Sequence, residues 1–278
     1  MTRIVYWSLV GALLLLTEQS LAATVVINIQ DFQFSPAQKT IDLGDTVKWV
    51  NNGLFHHTST SNKTGLWDTT AGGIAPGDSF TQTFNTTGSY SYHCRFHPSM
   101  QGTIIVLTPE QSRIRIGEHI ISSRIVPITL SKVTPLNHDQ VYLGSYIVNA
   151  QAGCANCHSC PTYGANHNPF QGEPKQFKAS SYLAGSVIVT GGGGLSVPSA
   201  NLTPDANGNP AGFKTFDQFK NFMRTGHDRE APHPILQLMP WPIFGMMSDY
   251  DLKAIYEYLR AIPHAEIPLG SQCNGPGS

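Results

Sequence analysis

Cys94-Arg95-Phe96-His97-Pro98-Ser99-Met100 places a thiol, an imidazole and a thioether within one short stretch. The segment before it, Tyr90-Ser91-Tyr92-His93, alternates as a strand does, and Ile104 to Leu107 after it reads as another strand. A tight loop between two strands can aim all three donors at one point. A soft thiolate, imidazole nitrogen and a weak axial thioether form the donor set that suits copper in both of its oxidation states. The second imidazole has to come from elsewhere in the chain, and His56 and His57 are the candidates.

Outward from this loop, residues 24–107 read as β throughout. Val25, Ile27 and Ile29 alternate with Val26, Asn28 and Gln30, Val47 and Trp49 flank Lys48, and Phe80, Gln82 and Phe84 lead into the turn Asn85-Thr86-Thr87-Gly88. Short runs of this kind, broken by Gly, Pro, Asn and Asp, predict an antiparallel sandwich.

These segments resemble a cupredoxin. The resemblance is carried by Gly44-Asp45-Thr46-Val47-Lys48-Trp49-Val50-Asn51-Asn52, His57-Thr58-Ser59-Thr60-Ser61, Pro76-Gly77-Asp78-Ser79-Phe80 and Tyr90-Ser91-Tyr92-His93-Cys94. The Cys-x-x-His-x-x-Met spacing is similar to the amicyanin type. The resemblance implies a Greek-key sandwich over residues 23–108 and one type 1 copper ion on His57, Cys94, His97 and Met100. It places the ligand at His57, with His56 where the family often has proline. His93 falls on the strand face opposite Cys94 and is expected to be structural.

A second motif follows. Cys154-Ala155-Asn156-Cys157-His158 is the c-type haem attachment pattern, in which two thiols bond the haem and the adjacent histidine ligates its iron. The surrounding pattern is helical. Val141, Tyr142, Ser145, Tyr146 and Asn149 share one helix face, Thr215-Phe216-Asp217-Gln218 is a capping box, and Ser248 precedes Leu252, Ile255, Tyr256 and Leu259 at helical spacing. For the sixth iron ligand the choice is Met239, in Leu238-Met239-Pro240-Trp241-Pro242; a thioether there leaves no open coordination position. Met223, Met246 and Met247 read as packing residues, and His227 and His233 as weaker rivals. Together with Asn201-Leu202-Thr203-Pro204-Asp205 and the final helix, these segments resemble a class I cytochrome c. That implies an all-α domain over residues 139–278 carrying one covalent haem c on Cys154, Cys157, His158 and Met239. Residues 109–138, punctuated by Pro109, Pro127 and Pro135, read as a linker packed in part on a neighbour.

Residues 1–22 read as an export signal of the Sec type: Arg3, an apolar run from Ile4 to Leu16 too short to span a bilayer, and the cleavage pattern Ser20-Leu21-Ala22. No other long apolar run follows, so stable membrane insertion after signal removal is not expected. An exported chain implies an oxidising compartment, the periplasm. Of the five cysteines the two motifs take three, leaving Cys160 and Cys273 to pair by elimination.

Charged residues are 13% and the net charge is −1, against the basic face that nucleic-acid binding requires. Gly191-Gly192-Gly193-Gly194 opens no helix and is not a dinucleotide fingerprint. The expectation is an electron carrier rather than an enzyme, passing electrons between copper and haem and on to periplasmic redox proteins. The other readings are a peroxidase or gas-reactive haem enzyme with a copper entry domain, and a copper carrier or sensor.

Overall fold

The computed structural model describes residues 22–191, 194–227, 235–266 and 272–274. The expected export signal (save Ala22), His233, Gly192 and Gly193 lie outside these residues. The chain divides into two compact units, Met1–Pro109 and Glu110–Ser278.

The first unit is a two-sheet sandwich. One sheet joins β2 (Gln33–Ser35), β1 (Thr24–Gln30), β4 (Thr46–Asn51) and β6 (Ser79–Thr83) in that order. The other joins β3 (Gln38–Asp42), β8 (Gln101–Leu107), β7 (Gly88–His93) and β5 (Thr60–Ser61). The period-2 pattern works as expected: Val47, Trp49 and Asn51 of β4 point inward while Thr46, Lys48 and Val50 do not. The core between the sheets is aromatic. The rings of Trp49 and Tyr92 meet edge to face at 5.4 Å, and Trp67 stacks near Trp49 at 6.2 Å. Each such buried side chain contributes about 1.5–3 kcal/mol.

One expectation is corrected here. The sandwich is mixed, not antiparallel, because β1 pairs with β4 and β3 pairs with β8 in parallel. Alternation of apolar and polar residues is the same for either pairing, so the sequence pattern cannot separate them.

The second unit packs helices around one core. The main contact is between α2 (His138–Tyr146), which runs on into a π-helical turn at Ile147–Gln151, and α6 (Asp249–Ala261). Gly144 makes the crossing possible, since a Cβ there would overlap the Ala254 carbonyl. The short α3 (Cys154–His158) follows the π turn. Two further helices are α4 (Phe216–Thr225), capped by Thr215 Oγ1 on Gln218 N at 3.3 Å, and α5 (Trp241–Phe244). Ser248 Oγ caps α6 by accepting from Asp251 N at 3.0 Å. Both capping residues are the ones the sequence marks.

Two further expectations change. Residues 109–138 are not simply a linker: α1 (Pro109–Ser122) occupies their first part. It buries Ile114, Gly117 and Ile120 in the second unit, where Ser145 Oγ donates to the Gly117 carbonyl at 3.1 Å. Apolar residues on several faces, with Ile116 left exposed, hide the helical period. The second unit is also not all-α. A small sheet joins β10 (Ser196–Pro198), β9 (Val187–Thr190) and β11 (Cys273–Asn274), with β9 and β10 on either side of the glycine run that begins at Gly191. A disulfide between Cys160 and Cys273, with Cα atoms 5.8 Å apart, anchors its last strand.

Candidate metal centres

The loop that joins β7 to β8 carries Cys94, His97 and Met100, and it is folded by its own backbone. Cys94 N donates to Met100 O at 3.0 Å, His97 N to Cys94 O at 3.2 Å and Met100 N to His97 O at 2.8 Å. His57 arrives from a separate segment, held by a two-way backbone bridge to Ile74 at 3.2 and 2.7 Å. Asn51, fully buried at the end of β4, supports that segment by donating to the Phe55 and Ile74 carbonyls, both at 2.8 Å.

Three donor atoms converge. Cys94 Sγ lies 3.8 Å from His57 Nδ1 and 3.6 Å from His97 Nδ1, and the two Nδ1 atoms are 3.2 Å apart. Bonds of about 2.0–2.3 Å, as imidazole and thiolate make to a first-row ion, span about 3.5–3.8 Å between ligands at trigonal angles. The triangle therefore has the size of a metal site, and its donor types are those of copper. Among the described residues it is the one such cluster of histidine, cysteine and acidic groups. Met100, in the same loop, is 2% exposed and belongs to the core of the sandwich, and its thioether completes the donor types of a copper site. The choice between the adjacent histidines is settled by geometry: His56 is exposed and its Nδ1 pairs with the Gly72 carbonyl at 2.9 Å.

The surroundings tune the donors. Burial lowers the pKa of His57, with Asp31 pulling the other way, which favours the neutral, ligating imidazole. Thr58 N donates to Cys94 Sγ at 3.3 Å, and Thr58 Oγ1 accepts from Arg95 N at 2.8 Å. Thr58 thus ties the two ligand segments together and offsets thiolate charge. Nothing in the spacing of ligands announces this role. His93, as expected, makes a structural contact, Nδ1 to Asn62 Oδ1 at 2.6 Å. The edge of His97 emerges among exposed apolar side chains; the Phe32 ring meets it at 5.0 Å and 88°, with Leu54, Phe55 and Phe96 nearby in the sequence segments of the site.

In the second unit, α3 presents Cys154 and Cys157 as free thiols, the first half-buried and the second exposed. Burial pushes the Cys154 thiol up to about 12. His158 Nδ1 pairs with the Ala200 carbonyl at 2.8 Å, which assigns that nitrogen the ring proton and leaves Nε2 as the free donor. Burial also lowers the His158 pKa, so the ring is neutral. Met239 is partly buried against the same core cluster that Cys154 packs on. Of its rivals, Met223 is a core residue of α4, Met247 packs on the cluster, and Met246 is 83% exposed. His227 bridges to Ile235 by backbone pairing. Trp241 donates its Nε1 proton to the Leu236 carbonyl at 3.1 Å and packs across Gly226.

A β-sandwich in which a strand-connecting loop with a cysteine, a histidine and a buried methionine meets a second histidine in one metal-sized triangle defines a mononuclear copper protein of the blue type. Residues 21–107 match the model of the copper binding proteins of the plastocyanin/azurin family. Amicyanin of Paracoccus versutus is 33% identical over 87 residues, covering 31% of this chain and 66% of the relative. Plastocyanin of Scenedesmus fuscus is 36% identical over 87 residues, covering 26% of this chain and 85% of the relative. The crystal structure of the Paracoccus versutus amicyanin matches at 32% identity with a TM-score of 0.27, over 30% of this chain and 81% of that one. Through its N-terminal unit the chain belongs to the plastocyanin/azurin family. It spans 66% of the amicyanin and 57% of a second plastocyanin, that of Tetradesmus obliquus.

Proposed function

We propose that this protein is a periplasmic electron carrier with two redox centres. One is a type 1 copper on His57, Cys94, His97 and Met100; the other is a covalent haem c on Cys154, Cys157, His158 and Met239. The observation that carries the reading is the pairing of two prepared donor sets in one chain. The first is the triangle of Cys94, His57 and His97. The second is a Cys-x-x-Cys-His helix whose histidine keeps Nε2 open because Nδ1 is tied to Ala200.

Each residue has a definite task. His57, Cys94 and His97 would hold the copper, and a thiolate with two imidazoles is a donor set that serves both of its oxidation states. Cys154 and Cys157 attach the haem, and Ala200 orients His158. Met239 would supply the sixth ligand of a bound haem, and a thioether there would favour electron transfer over chemistry on a substrate. Copper and haem iron each supply one-electron chemistry when bound. The covalent link between the units keeps both centres at high effective concentration. Amicyanin and plastocyanin being the relatives, copper-based electron transfer is the role expected of the first unit.

Among the described residues no helix is long and apolar enough to cross a membrane. The export signal read at residues 1–22 supports placement in the periplasm, where the donor and the acceptor would be other redox proteins. Metal analysis and the pyridine haemochrome spectrum of protein exported by a host that matures c-type cytochromes test the reading. One copper and one haem per chain are expected; haem removable by acid-acetone, or a protein that binds no copper, contradicts it.

A further inference from the structure

The ring nitrogen of His57 that the metal triangle leaves over has a particular neighbour. His57 Nε2 is buried and makes no hydrogen bond among the described residues. Facing it at 3.6 Å is Oδ1 of Asp31. Asp31 comes from the turn between β1 and β2, where Phe32 adopts a left-handed conformation at φ 68°. The carboxylate is held where it stands: Oδ1 accepts from Leu54 N at 2.8 Å. Gly53 leaves it room, since a Cβ at that position would overlap Oδ1 and lie 3.1 Å from Asp31 N. A buried nitrogen without a partner, a carboxylate anchored opposite it and a glycine that admits the carboxylate all coincide at one place.

With Nδ1 of His57 turned to Cys94 and His97, the ring proton resides on Nε2, the atom that faces Asp31. A carboxylate opposite the N–H of a metal-bound imidazole fixes the tautomer, orients the ring and raises its basicity. A more basic imidazole and a nearby negative charge both favour the ion of higher charge. We propose that Asp31 is a positioning residue for the copper ligand His57, and that it stabilises the oxidised centre more than the reduced one. This rests on the copper reading above and extends it to a residue outside the ligand loop, on the other sheet from the strand that leads to Cys94.

The test is Asp31→Asn, which keeps the shape and removes the charge, measured by spectroelectrochemical titration of the blue band and by the rate of Cu(II) loss to a chelator. Removing such an outer partner costs about 10–100-fold in metal affinity. The loss is expected to be larger for Cu(II) than for Cu(I). The reduction potential then rises, by about 59 mV for each tenfold difference between the two oxidation states. Gly53→Ala keeps the charge but displaces the carboxylate, and is expected to move the potential in the same direction; it serves also where Asp31→Asn folds poorly. Asp78→Asn, an exposed charge on the same unit, is expected to leave the potential in place. A blue wild type whose potential and Cu(II) loss are unchanged by both Asp31→Asn and Gly53→Ala overturns this inference and leaves the copper reading standing. A wild type that binds copper without a thiolate charge-transfer band removes both.

Discussion

The Nδ1 atoms of His57 and His97 face each other across 3.2 Å, although the two residues stand on separate loops and His57 is fully buried. Two imidazole lone pairs at that distance are satisfied by a shared proton or a cation. The fold therefore stores a site whose occupation stabilises it. A ligand that binds only the folded state adds about 2.7 kcal/mol at a hundred times its dissociation constant. Removing copper with a chelator is expected to lower the melting temperature of the β unit, read from far-ultraviolet circular dichroism, and restoring one equivalent to recover it.

Ligand substitutions separate colour from tuning. Cys94→Ser is expected to abolish the blue band outright, because the band arises from thiolate-to-copper charge transfer. Met100→Leu conserves volume in the core position that Met100 occupies, so it costs less than about 1.5 kcal/mol of stability. It is expected to keep the band while raising the potential, since the axial thioether donates weakly to the oxidised ion. Absorption spectra and redox titrations of the two variants check this.

The haem ligands proposed above make their own prediction. With Met239 on the sixth position, the reduced wild type is expected not to bind carbon monoxide. Met239→Ala opens that position, and a carbonyl spectrum is expected on adding the gas. Cys157→Ala is expected to weaken or abolish the haem band that survives a denaturing gel, because one of two thioether bonds is lost.

The local sites were more legible than their settings. Cys94, His97 and Met100 are close in sequence, and a strand on each side fixes how the loop turns, so their convergence could be read directly. The caps at Thr215 and Ser248 were legible for the same reason, each being a local hydrogen-bonding pattern. Asp31 and Ala200 were not, because each meets its histidine only through tertiary folding, 26 and 42 positions away. The parallel pairings β1·β4 and β3·β8 were hidden because alternation does not encode strand direction. Helix α1 was hidden because its buried face is built around Gly117, a residue that counts against a helix in the sequence.

That glycine and its counterpart on α2 can be tested directly. A Cβ on Gly117 would overlap the Tyr142 carbonyl, and one on Gly144 the Ala254 carbonyl. Gly117→Ala and Gly144→Ala are each expected to destabilise the second unit by about 1–3 kcal/mol despite the gain in helix propensity. A neutral result from Gly117→Ala in chemical denaturation would place α1 outside that unit.

A buried hydroxyl chain predicts a pH dependence. Tyr182 OH donates to Asn149 Oδ1 at 2.6 Å and accepts from Tyr258 OH at 2.8 Å. Burial pushes the Tyr258 phenol up to about 12 from its ordinary 10.0, and Tyr182 is raised well above its own. Below pH 10 folded and unfolded chains alike hold these protons. Between about 10 and 12 the unfolded chain releases them and the folded chain does not, so stability falls as pH rises through this window. Tyr258→Phe is expected to flatten that fall, while costing about 1–3 kcal/mol at neutral pH by depriving Tyr182 of its donor. Denaturant unfolding at pH 7 and across the alkaline range gives both numbers.

As proposed, one chain would hold two communicating one-electron centres. The most direct test of this is a reductive titration of the protein loaded with copper and haem, adding reductant in less than stoichiometric steps while the blue band and the haem bands are followed together. Both chromophores are expected, two electrons are expected to complete the titration, and they are expected to distribute between copper and haem according to the two potentials. A haem that reduces normally with no blue band at any step, or a copper band with no covalent haem, would contradict it.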